Sequence, residues 1–263
     1  MNLTLIIGLL GCLGMNVYGI LGSGEIGNFI DMPSVYIVLG GTIFGIIGGT
    51  PLADVKNIPK HLKIALFGSS KFKPAEIVEQ IVECAKVARQ SGLLALEEYA
   101  NNQEDAFFKE ALLLIVDAID ADKIRERLTA ELDMLDARHS AGKAVYDRGV
   151  ALGPAMGMLG TLIGLINMLA AMDFDSEGGA AKLATNMGVA LITTFYGSIL
   201  SNVIFMPISS QLGAANDMEM LCKQMIIEGI LAVQAGENPK FIKEKLLSFL
   251  SEKERERLED DGN

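Results

Sequence analysis

The chain has 263 residues, half of them apolar, with no tryptophan and a mean hydropathy of +0.35. That value is high for a soluble protein and low for one lying wholly in a bilayer, so a mixed chain is expected, part membrane and part water. Its formal charge of -11 and isoelectric point of about 4.7 leave no basic footprint from which nucleic-acid binding could start.

Residues 3–22, LTLIIGLLGCLGMNVYGILG, form an apolar run long enough to cross a hydrocarbon core of about 30 Å. No basic region precedes the run, so a retained span is expected rather than a signal peptide. A short turn with Glu25 and Asp31 leads to a second apolar run, Pro33 to Thr50, rich in glycine at 40, 41, 45, 48 and 49. From Pro51 to Arg148 charges recur every few residues, and no uncharged run is long enough to span. This is read as a water-exposed domain.

Near its start, NIPKHLKIALFG alternates Lys60, His61 and Lys63 with Ile58, Leu62, Ile64 and Leu66. The pattern suits a short helix on the bilayer surface, and equally a core helix of the soluble domain. Pro74 opens a helix with Ile77, Ile81 and Val82 on one face and Glu76, Glu79 and Glu83 outside. Another helix is expected from about Asp105 to Ile119. A third begins near Ala121 and has no Gly-Pro turn before the next apolar run; if unbroken to Met172 it would approach about 78 Å.

That run, Gly153 to Met172, carries glycines at 153, 157, 160 and 164, steps that stack them on one helix face with Thr161 beside them. In lipid such a face lets a neighbouring backbone come close. Pro154, if the helix passes through it, leaves the Val150 carbonyl without its usual donor. The acidic stretch MDFDSEGGAAK is read as a turn, followed by a fourth apolar run from Leu183 to Ile208. There Thr194, Ser198 and Ser201 share a face with Gly197 adjacent, hydroxyls that could also bond only to their own helix. Pro207 closes the run. The tail from Ser209 is amphipathic and ends in mixed charges.

The reading is thus all-α: a polytopic membrane protein with four transmembrane helices and a helical cytoplasmic domain. Residues 1–50 hold the first two helices and a short outer loop, 51–148 the cytoplasmic domain, 149–208 the other two helices and a second outer loop, and 209–263 a cytoplasmic tail. Of the 22 Lys and Arg, 14 lie between the second and third runs and seven after the fourth, so the long regions and both termini are expected in the cytoplasm.

Cys12, Cys84 and Cys222 match neither a disulfide framework nor metal-ligand spacing, and His61 and His139 are isolated. With no G-x-S-x-G, P-loop or dinucleotide fingerprint, neither an enzyme nor a cofactor is expected. None of the four runs contains an Asp, Glu, Lys, Arg or His. Ion movement through hydrocarbon normally needs an ionisable group, so either no ion moves or another protein supplies the carboxylate and this chain the wall.

Three motifs carry a resemblance: PAMGMLGTLIGL at 154–165, ALITTFYGSILSNVIFMP at 190–207 and ARQSGLLALE at 88–97. With them the chain resembles the MotA/TolQ/ExbB family of ion-channel subunits over nearly its whole length. TolQ and ExbB share the first two in outline; the third motif and four spans favour the MotA branch, the flagellar motor stator of the inner membrane. The resemblance implies a homo-oligomer, a ring of five around a MotB dimer whose aspartate carries the ion and whose periplasmic part grips peptidoglycan. Ion flow would turn the ring against the rotor protein FliG, driving swimming motility and chemotaxis.

By motif position, Thr161 and Thr194 would face the pore near that aspartate, with Gly157, Gly160, Gly164 and Ser198 along the pathway. Pro154 and Pro207 would shape helices that couple ion binding to movement, and Arg89 and Glu97 would meet FliG. Taken alone, Arg89 and Glu97 read as solvated charges. The implied ion is a proton, with sodium the alternative. Competing functions are an ExbB/TolQ-like energiser of outer-membrane processes and a membrane scaffold that transports nothing.

Overall fold

A computed structural model describes residues 3–67, 72–171, 179–252 and 254–256, and the chain divides into two compact units. Unit 1 comprises Met1–Ser69 and Ser140–Ala214; unit 2 comprises Ser70–His139 and Ala215–Asn263. All regular structure among the described residues is helical. Helices α1 (Leu3–Ser23), α2 (Met32–Gly48), α3 (Leu52–Lys56) and α4 (Ile58–Phe67) belong to unit 1. Helices α5 (Pro74–Ser91), α6 (Leu96–Asn101) and α7 (Ala106–Val116) belong to unit 2. The long helices α8 (Ala121–Ala170) and α9 (Gly179–Gln234) contribute to both, and α10 (Pro239–Leu247) returns to unit 2.

In unit 1, α1 turns Leu3, Ile7, Leu10, Met15, Tyr18 and Leu21 outward. Exposed apolar side chains around a helix are what a lipid neighbour requires. Asp31 caps α2, its carboxylate accepting from the Ser34 amide at 2.8 Å, and Tyr196 on α9 donates to the Phe29 carbonyl just before it. A widened π turn over Tyr36–Gly40 interrupts α2. Leu5, Ile46, Ala65, Val145, Tyr146 and Ile208 form a small core where α1, α2, α4, α8 and α9 meet. Residues 51–67, grouped by charge with the water-exposed domain, pack in unit 1.

Unit 2 has a conventional apolar core. Val78 and Ile81 of α5, Leu96 of α6, Phe108, Leu112 and Ile115 of α7, Ile124 and Leu128 of α8, Met225 and Ile230 of α9, and Ile242 and Leu246 of α10 are all fully buried. The buried face of α5 is centred on Val78, Ile81 and Ala85, with Ile77 and Val82 at its margins. Asp105 caps α7 by accepting from the Phe107 and Phe108 amides at 2.9 and 3.0 Å. Burial pushes the Cys84 thiol up to about 12 and the Cys222 thiol to about 11, so both are inert apolar residues at neutral pH. Cys12 lies exposed on α1.

Among the described residues three helices are long and apolar enough to cross a membrane: α1, α8 and α9. The second apolar run forms the shorter α2, which stops at Gly48 rather than Thr50. The helix expected from Ala121 is continuous to Ala170, while Met172 and most of the acidic turn lie outside the described residues. Lys182, read as part of that turn, sits in the first turn of α9. The fourth run does not end at Pro207. A π segment over Leu200–Phe205 widens α9 just before the proline ring, relieving its clash with the preceding turn, and the helix continues to Gln234.

Glu228 of α9 accepts from Arg125 of α8 and from Lys245 of α10, the latter at 3.2 Å, joining three helices of unit 2. The Arg125 hydrogen bond, aided by Lys245, holds its carboxyl below the usual value of 4.5. A lowered folded value means stabilisation that is present above the unfolded value and is lost as pH falls through the folded one. Glu228→Gln should therefore lower stability at pH 7 by roughly 0.5–1 kcal/mol. In thermal unfolding of the full chain in detergent, its gap from the wild type should close as pH falls below 4.5; a pH-independent gap would contradict the pairing.

Candidate functional site

The site grows from the glycines of α8. Gly153, Gly157, Gly160 and Gly164 are all buried, and what they face is α9 of the same chain. A methyl group on Gly157 would lie 2.9 Å from the Thr193 carbonyl, one on Gly153 2.9 Å from the Gly197 carbonyl, and one on Gly164 2.8 Å from the Ala190 amide. On the opposite wall, a methyl on Gly197 would meet the Gly153 carbonyl at 2.5 Å. Backbone touches backbone, so any side chain at these positions forces the helices apart. The glycine row read as a face for a close neighbour meets α9 of the same chain at Gly157, Gly160 and Gly164.

That contact places the hydroxyls. The Thr161 and Thr194 hydroxyl oxygens are 2.6 Å apart, and Thr161 also donates across to the Ala190 carbonyl at 2.9 Å, with its own Gly157 carbonyl at 3.2 Å. Thr194 and Ser198 are exposed and Thr161 is half-buried. The pair has two hydroxyl protons. If Thr161 gives its proton to Ala190 and Thr194 gives its own to Thr161, the Thr194 oxygen keeps lone pairs aimed outward. Such an oxygen can accept from a protonated acid or hydronium, or ligate a hard cation. Thr193, one residue away, is fully buried and bonds back to Val189 and Ala190; Thr194 also reaches back to the Ala190 carbonyl, at 3.4 Å, but stays exposed.

Pro154 is exposed on α8, and the Val150 carbonyl that it deprives of a donor is satisfied by the Ser201 hydroxyl of α9 at 2.8 Å. Ser201 is buried and was expected only as a member of the α9 hydroxyl row. Its role was half legible, since the orphaned carbonyl follows from Pro154, but the donor lies 51 residues away. Pro207 is half-buried behind its π segment.

Arg89 and Glu97 lie in unit 2, both exposed, on either side of a sharp turn. The turn rests on Gly92 at φ +83°, a conformation that other residues rarely adopt. Beyond it Leu94, Ala95, Glu97, Glu98, Asn101 and Asn102 line an open, acidic concavity. Among the described residues no cluster of three or more His, Cys, Asp or Glu is arranged to hold a metal.

The model of the MotA/TolQ/ExbB proton channel family matches residues 99–225. Motility protein A of Treponema phagedenis is 36% identical over 259 residues, covering 98% of both chains. Chemotaxis protein PomA of Vibrio alginolyticus is 38% identical over 256 residues, covering 97% of this chain and 98% of the other. A chain of the flagellar MotAB stator complex from Bacillus subtilis superposes with a TM-score of 0.86 at 29% identity, covering 96% of this chain and 97% of that one.

If Ser201 replaces the donor that Pro154 removes, the two positions are coupled. Ser201→Ala should lower the stability of the full chain in detergent by about 1–3 kcal/mol, the cost of an unpaired buried carbonyl. In a Pro154→Ala background, where the backbone amide returns, the same change should cost much less. Equal losses in both backgrounds, read as melting shifts, would break the link.

Proposed function

The chain belongs to the MotA/TolQ/ExbB proton channel family, and from that membership and the α8–α9 face we propose that it is a flagellar stator subunit. In this reading it is a multi-pass protein of the inner membrane that, with a MotB-like partner, forms an ion path and converts ion flow into torque for swimming. The carrying observation is the Thr161–Thr194 hydroxyl pair, displayed at the surface of helices whose apolar stretches hold no ionisable side chain. The chain can hold a proton donor or a cation there but has no acid in those stretches to titrate. The titrating carboxylate must come from the partner.

Geometry supports a division of labour. The glycines bind α8 to α9, which leaves the Thr194 and Ser198 face open for the partner's helix. The relatives that match over nearly the full length are motility and chemotaxis proteins, which favours the flagellar branch over an outer-membrane energiser. Further proposals are a ring of five copies around a partner dimer, both termini in the cytoplasm, and the proton as the carried ion.

The test is ion flux into vesicles holding the chain with its partner. A pH gradient without sodium should drive flux in the wild type. Neutralising the partner's membrane carboxylate should abolish flux with assembly intact, and Thr161→Val with Thr194→Val should reduce it at least about tenfold, the scale of one lost hydrogen bond to a charged group. Flux that survives loss of the carboxylate would refute the reading; flux only on a sodium gradient would replace the proton by sodium.

Arg89 and Glu97 are proposed to meet charged residues of the rotor protein FliG, the acidic concavity beside Glu97 suiting a basic surface. Arg89→Glu should lower torque, measured on a tethered cell, at unchanged levels of assembled complex. Normal torque at reduced expression would remove the assignment.

A further inference from the structure

Helix α4 packs by one face only. The Tyr146 hydroxyl of α8 donates to the Ile58 carbonyl at 3.2 Å, the His61 ring lies edge-on to Tyr146 at 6.1 Å, and a methyl on Gly142 would strike His61 at 2.8 Å. Ala65 is 2% exposed in the core shared with Leu5, Ile46, Val145 and Ile208. Those neighbours mark one level of the molecule. Leu5 is in the first turn of α1, Ile46 in the last turn of α2, Val145 just precedes the uncharged stretch of α8, and Ile208 is the last residue of the apolar run of α9. Helix α4 therefore lies against one common end of the four apolar helices, where hydrocarbon gives way to headgroups.

The other face is unclaimed. Lys56, Lys60, Lys63 and Phe67 follow at steps of four, three and four, all exposed, with Ile64 beside them and Leu52 of α3 extending the apolar margin. None of the three lysines makes an ion pair among the described residues, although the chain holds 33 acidic residues. The only acid between Leu52 and Phe67 is Asp54. In an acidic protein this segment is a local excess of positive charge bordered by apolar side chains, at bilayer-surface level.

We infer that the outer face of α3 and α4 is a binding surface for anionic phospholipid headgroups, held by Lys56, Lys60 and Lys63, with Ile64, Phe67 and Leu52 set among the acyl chains. Lysine stems lie along apolar surface while the ammonium reaches the phosphate plane, and each such lysine favours anionic over neutral lipid by about fivefold. The rival occupant, an acidic protein segment, would use the lysines but leave the apolar margin without a partner of its own kind.

This chain has no tryptophan, so one placed on α4 is its sole indole, and the complex without the substitution supplies the partner's background. The full chain with its partner, carrying Phe67→Trp, is placed in phosphatidylcholine nanodiscs doped with brominated phosphatidylglycerol or, at the same mole fraction, brominated phosphatidylcholine. Quenching by the anionic lipid should exceed that by the neutral one by about fivefold at low mole fraction. The excess should vanish with Lys56→Gln, Lys60→Gln and Lys63→Gln together, and shrink in 1 M salt. Ile64→Trp on the same face repeats the measurement if the first variant fails to assemble. Equal quenching by both lipids, quenching by neither, or an excess that survives the triple substitution would each overturn the assignment.

Discussion

The backbones of α8 and α9 touch where Gly153, Gly157, Gly160 and Gly164 meet Gly197 and the carbonyls of Thr193 and Asn186. Lipid offers no hydrophobic drive between two apolar helices, so their association rests on dispersion at short range and on hydrogen bonds. Both depend on missing side chains. At a normal interaxial spacing of 8–10 Å, a threonine or serine hydroxyl would fall back on its own helix. Here Thr161 reaches the Ala190 carbonyl and Ser201 the Val150 carbonyl, each across the interface.

The same contact decides what faces outward. Thr193 is on the inner side of α9 and is consumed by it, whereas Thr194 and Ser198 remain on the open side. Since a helix of 3.6 residues per turn cannot turn adjacent residues to one side, the glycine row fixes which threonine hydroxyl is left on the open side. Unit 2 is built on another principle, an apolar core of leucines, isoleucines and Phe108 that works in water. The pattern changes from core-facing stripe to glycine row within α8 itself, which stays one continuous helix through Pro154.

What the sequence revealed follows from periodicity. The apolar runs and the glycine steps that prepare one helix face for another are set by local repeats, and both are found in the helices; the Thr161–Thr194 contact joins residues 33 apart and has no such signal. Three other features escaped because they are tertiary. The glycine row was legible as a face for a close neighbour, but that the neighbour is the chain's own α9 was not. Pro207 read as a terminus, since the widened turn that lets α9 continue has no local signature. The side of α4 that packs became clear only through Tyr146, 88 residues from Ile58.

The two prolines show how placement alters the energetics of movement. Pro207 is accommodated by a distortion within its own helix, so its solution travels with α9 wherever that helix goes. Pro154 is accommodated by Ser201 on the neighbouring helix. Sliding α9 along α8 therefore leaves Pro207 undisturbed but strips the Val150 carbonyl of its only cross-helix donor, at a cost of about 1–3 kcal/mol in a site without water. The glycine contact penalises the same motion, because the flat surfaces fit at one register only. Relative displacement of α8 and α9 is thus opposed at Pro154 through Ser201, whereas the distortion at Pro207 is internal to α9 and the pair is held near it by Ser209, which donates to Asp147.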